Sequence, residues 1–95
     1  MSEKSFNKIN GNYLSRIIPG QFYKIGTEYW YFIQKKNGWF QFKKCRFEIL
    51  ENVCFVTNEV IFRTEDRLWW LKRANEIDLM VDVIFEKEDG SYGRN

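Results

Sequence analysis

The stretch Tyr29-Trp30-Tyr31-Phe32-Ile33-Gln34-Lys35-Lys36-Asn37-Gly38-Trp39-Phe40-Gln41-Phe42 decides how this chain folds. Tyr29 to Ile33 are all aromatic or β-branched, the residue types enriched in strands. Asn37-Gly38 then stands between two apolar arms, and both residues tolerate the positive φ that a two-residue hairpin turn demands. The reading is a β-hairpin turning at residues 35–38.

Towards the C-terminus the second arm breaks phase. Phe40 and Phe42 occupy even positions, whereas Cys45, Phe47 and Ile49 occupy odd ones. A strand of period two cannot keep both sets on one face, which predicts a β-bulge near Lys43-Lys44. Residues 53–62 continue as one strand or two, with Thr57-Asn58-Glu59 as the break. Residues 77–85 read as a strand with Ile77, Leu79, Val81, Val83 and Phe85 buried and Asp78 and Asp82 opposite. Segment 64–76 reads two ways. Thr64 as an N-cap, Glu65 and Asp66 after it, and Lys72 and Arg73 further on favour a helix. Arg67 falls inside its apolar stripe, and a strand over 67–73 is the alternative.

Towards the N-terminus, residues 21–25 form a strand candidate broken at Gly26. Pro19-Gly20 is a turn, residues 13–18 a short strand, and Asn10-Gly11-Asn12 a further turn. The expected fold is α+β and β-dominated: five or six antiparallel strands with one short helix, as a packed sheet or a small partly open barrel. Ninety-five residues make a single β-rich domain, residues 1–88, and the charged, glycine-containing residues 89–95 read as a flexible tail.

Composition narrows the function. The chain is 44% apolar and 19% aromatic, far from a disordered profile, and no apolar run reaches a membrane span. The first residues lack the apolar run of a signal peptide, so a cytoplasmic, soluble protein is the default. There is no histidine, which removes the commonest general base and metal ligand. Cys45 and Cys54 have no partners for a zinc site and read as buried, reduced thiols. A tight turn at Glu51-Asn52 sets Cys54 opposite Ile49 and Cys45 opposite Asn58, too far out of register for a disulfide. Asp78 and Asp82 lie about 13 Å apart on one strand, too far for a catalytic dyad. No catalysis, cofactor or metal is expected.

Binding remains. The chain to Phe47 carries +7 and the rest −5, so a basic and an acidic side are expected. Aromatic rings exceed what a small core readily encloses, and this points to protein–protein docking, self-association included. Trp69, Trp70, Tyr29 and Tyr31 are the candidate anchors, with Arg67, Lys72 and Arg73 as a charged rim. Lys35, Lys36, Trp39, Lys43, Lys44 and Arg46 are the alternative site, since cations among flat rings suit single-stranded RNA or DNA. A short chain without histidine and rich in Lys, Asn, Ile and Phe resembles, in composition alone, the small accessory proteins of bacteriophages; that resemblance implies an inhibitor-like protein docking on a host protein.

Overall fold

The computed structural model describes residues 6–8, 17–64, 67–73, 76–86 and 90–94, and for 6–8, 67, 68 and 71 the backbone alone. The turn expected at 10–12 and most of the strand expected at 13–18 lie outside these residues. The elements run β1 (Phe6–Lys8), β2 (Phe22–Ile25), β3 (Glu28–Lys36), β4 (Trp39–Glu48), β5 (Val53–Thr64), α1 (Arg67–Lys72), β6 (Ile77–Met80), β7 (Ile84–Glu86) and β8 (Tyr92–Arg94).

The hairpin forms where the sequence placed it. Asn37 and Gly38 have φ of 53° and 78°, and Lys36 pairs with Trp39 across them. Before β2, Pro19-Gly20 also turns, with Gly20 at φ 88° and the Gln21 N–H bonded to the Ile18 carbonyl at 3.3 Å.

The eight strands of the described residues join one sheet in the order β1-β6-β2-β3-β4-β5-β7-β8. The pairings are antiparallel except β5 with β7, so the sheet is mixed and larger than the five or six antiparallel strands expected. The difference arises at Asp82, whose φ of 57° ends the extended backbone. Residues 77–85 are therefore two strands instead of one. Ile77 and Met80 are both buried but pack in different clusters, while Val81 is only half-buried, so the expected burial of the odd positions on one face does not hold. The Asn52 side chain donates to the Asp82 carbonyl at 2.7 Å, and the Asn52 carbonyl accepts from the Ile84 N–H at 3.0 Å, docking the crossing on the β4–β5 turn.

That crossing forces the sheet to curl. β6 and β7 are five strand spacings apart, about 24 Å in a flat sheet at ~4.8 Å each. Only residues 81–83 join them, a reach of at most ~14 Å. The sheet closes part-way into a barrel, and the Phe22 and Phe85 rings meet across its interior at 4.9 Å.

β4 explains the broken phase of its sequence. Its alternation is never reset: Phe40 and Phe42 pack in one cluster with Trp30, Phe32, Trp70 and Ile77, while Cys45 packs in another with Phe22, Cys54, Met80 and Val83. We call these the helix face and the inner face. The irregularity lies opposite Lys44, but the extra residues belong to β5, where Lys43 pairs with Val60 and Cys45 with Val56. Thr57 Oγ1 donates to the Lys44 carbonyl at 2.7 Å and accepts from the Glu59 N–H at 3.2 Å, satisfying the bulged backbone. The bulge expected in β4 to unite its rings on one face is thus in its partner, because both faces are apolar. Beyond it, a turn at residues 49–52 sets Cys54 opposite Phe47 and Cys45 opposite Val56, in place of the Ile49 and Asn58 pairings expected. Tyr92–Arg94, within the expected tail, pair with β7.

Candidate functional site

β3, β4 and β5 outrun their neighbours. β2 pairs with β3 only as far as Tyr31, and β7 pairs with β5 only at residues 53–55. Residues 33–43 and 56–64 thus form a three-stranded arm. Its helix face is covered where the Trp70 ring packs, tilted, against Phe40 and Phe42 at 5.2 and 6.2 Å. Its inner face carries large apolar side chains left in the open.

Strand alternation puts Trp39, Gln41 and Lys43 on that inner face, and the register sets Phe62 and Val60 opposite Gln41 and Lys43. Trp39 is 47% exposed and Phe62 52%, and their rings meet edge to face at 6.4 Å. Val60 is also exposed, and the Gln34 amide donates to the Gln41 side-chain oxygen at 2.8 Å. A depression of about 390 Å³ lies among Lys36, Asn37, Trp39, Gln41 and Phe62. Past Gln41 it meets the mouth of the half-barrel, about 420 Å³, walled by Phe22, Tyr31, Ile33, Val56 and Phe85 with Lys43 and Glu86 at the rim. Together they form a largely apolar trough.

The residues singled out from the sequence do not converge. Trp70 is fully buried, and its Nε1 donates to the Thr64 carbonyl at 2.9 Å, so it is a core residue with no surface to offer. Trp69 is half-buried on the helix face, stacked on Trp30 at 6.2 Å. The Arg63 and Arg73 guanidinium groups lie 4.8 and 4.1 Å from its ring centre, and Arg73 donates to the Trp69 carbonyl. Lys72 is exposed at the end of α1; Arg67 begins α1, and its side chain lies outside the description. Tyr29 and Tyr31 are half-buried on the opposite, inner face, against Phe47 and Phe22.

The basic residues are split in the same way. Lys35 sits 5.5 Å over Phe40, Lys44 pairs opposite Trp30, and Arg46 lies 4.3 Å over Phe55 while bonded to Glu48. All three belong to the helix face. Only Lys36 and Lys43 join Trp39 along the trough. Phe62 and Val60, which complete the patch, were read from the sequence only as strand. Their even positions become a signal once β4's odd positions are known to pair with them.

Burial pushes the Cys54 thiol up to about 12 and the Cys45 thiol higher still, Cys54 adding to the latter effect; both are free and held protonated. Burial likewise raises Tyr23, although its hydroxyl accepts the Ile18 N–H at 2.8 Å. Among the described residues, no three His, Cys, Asp or Glu gather as a metal site, and no helix is long and apolar enough to cross a membrane. Comparison with known proteins finds no family model, no curated protein and no solved structure that matches this chain.

Proposed function

We propose that this chain is a non-enzymatic protein-docking module whose contact surface is the inner face of the β3–β5 arm. The observation that carries the reading is the exposed Trp39–Phe62 pair, bordered by Val60 and opening into the apolar mouth. Rigid rings with few rotamers anchor interfaces at small entropic cost. Trp39 and Phe62 take the anchor role and Lys36 and Lys43 the rim, while Tyr31 lines the trough floor; Trp69, Lys72 and Arg73 stand apart on the other face.

Binding of single-stranded nucleic acid is the second reading, favoured by one observation: Lys36 lies beside Trp39, and Lys43 lies further along the same trough. Dispersal of Lys35, Lys44 and Arg46 to the helix face weighs against it, since a phosphate track needs its cations along one path.

The test is capture on the immobilised chain, with half of each sample nuclease-treated, in wild-type, Trp39→Ala and Lys36→Gln/Lys43→Gln forms. The protein reading expects nuclease-resistant partners whose affinity falls at least ~30-fold with Trp39→Ala. Binding that nuclease abolishes and that the Lys variants remove would replace it with the nucleic-acid reading.

A further inference from the structure

The open edge of β5 admits a particular partner. Among the described residues no strand pairs with β5 beyond Phe55 on the side away from β4. The two-residue turn makes Lys36–Trp39 the hydrogen-bonded closing pair, so the Trp39 backbone faces β3. Alternation then directs the backbones of Phe40 and Phe42 towards Arg63 and Ile61, and turns those of Val60, Phe62 and Thr64 outward. Two carbonyls bear this out: the Thr64 oxygen accepts from the Trp70 indole and the Phe62 oxygen from Arg63 Nη1, neither of them on β4.

An unpaired edge carrying apolar side chains is a template for another strand. The sequence along it is Glu59-Val60-Ile61-Phe62-Arg63, and it is self-complementary when laid antiparallel on itself. With Ile61 opposite Ile61 of a second copy, Val60 faces Phe62 and Glu59 faces Arg63, twice each. Shifting the axis to Val60 or to Phe62 sets Glu59 or Arg63 against Ile61 and loses both matches. The Ile61-centred register also pairs outward backbone with outward backbone. It keeps each face continuous across the twofold axis, so Val60 and Phe62 bury each other on the inner side and the charges meet on the helix side.

We infer that the open β5 edge of this arm pairs with a second copy of the chain, joined β5 to antiparallel β5 with Ile61 at the twofold axis. The inference rests on the reading of the arm as a docking surface and adds to it the partner and the register. An interface built from one strand pair and two apolar contacts belongs to the weak class, with a dissociation constant of ~1–100 μM.

Sedimentation velocity of the full chain up to ~200 μM tests it, together with cross-linking. The expected result is a shift from 11.6 kDa towards twice that mass with rising concentration. Val60→Pro removes an outward N–H and spares the β4 ladder, and should weaken the dimer at least ~10-fold while the monomer stays folded by circular dichroism. Ile61→Cys should give a disulfide-linked dimer under mild oxidation, and Thr57→Cys should not. A chain monomeric throughout, a dimer indifferent to Val60→Pro, or cross-linking at 57 in preference to 61 overturns the inference. Capture of another protein lost with Trp39→Ala, from a chain that stays monomeric, would overturn the self-pairing and leave the docking reading standing.

Discussion

Replacing Trp70 by alanine should come close to unfolding the domain, whereas the same change at Trp39 should barely disturb it. Trp70 has no exposed surface and packs against Phe40, Phe42 and Trp69 at 5.2, 6.2 and 4.9 Å. Removing a buried indole costs about 3–5 kcal/mol through lost transfer energy and the cavity left behind. The 2.9 Å bond to the Thr64 carbonyl also disappears, adding roughly 1 kcal/mol. A domain of this length holds only about 5–14 kcal/mol in total. Trp39 already has 47% of its surface in water, and truncating it should cost about 1 kcal/mol. Urea titration followed by far-ultraviolet circular dichroism measures both. The reasoning fails if Trp70→Ala is within about 1 kcal/mol of wild type, or if Trp39→Ala is the more destabilising change.

Both thiols bind their protons more tightly in the fold than in the unfolded chain. Their stabilisation is complete below about pH 9 and drains away as pH climbs through the raised values. For Cys54, moved from 9.0 to about 12, the loss at about pH 10 is ~1.4 kcal/mol. Urea titrations at about pH 8 and about pH 10 should show a drop of at least that size, reduced in a Cys45→Ala/Cys54→Ala variant; equal drops would contradict the burial. Gly38→Val puts a branched side chain at φ 78° and should cost ~1–2 kcal/mol; an unchanged melting temperature would argue against the turn. Thr57→Val strips two hydrogen bonds from the bulge and should cost ~1–2 kcal/mol, accompanied by faster exchange of the Glu59 amide.

Local chemistry was legible in the sequence, and long-range pairing was not. Asn37-Gly38 announces its own turn, because the positive φ both residues adopt is a property of those two side chains. The ambiguity at 64–76 resolves as the short helix α1, since Trp70 must reach back across Phe40 and Phe42 to cover them. Residues 77–85 misled because their alternation is locally faithful to a strand. Asn52, thirty positions away, donates to the carbonyl of Asp82 in the left-handed turn that divides it. The same distance in sequence hid the docking surface. Tryptophan pairs drew attention to Trp69-Trp70, but two adjacent rings on a short helix serve the core beneath it. The exposed pair, Trp39 and Phe62, is assembled by the β4–β5 register, which depends on a bulge at residues 57–59; the sequence marks Thr57-Asn58-Glu59 as a break but not the register on its far side.

Amide exchange along β5, followed as the chain is concentrated, tests the central claim most directly. The claim is that the uncovered side of the β3–β5 arm is built to receive another chain. In dilute solution the Ile61 and Arg63 amides, directed at β4, should exchange slowly, and those of Val60 and Phe62 quickly. Raising the concentration should protect Val60 and Phe62 selectively, at least ~10-fold, while Ile61 and Arg63 change little. Val60 and Phe62 amides that are protected already in the most dilute sample, or that stay unprotected in the most concentrated one, would contradict it.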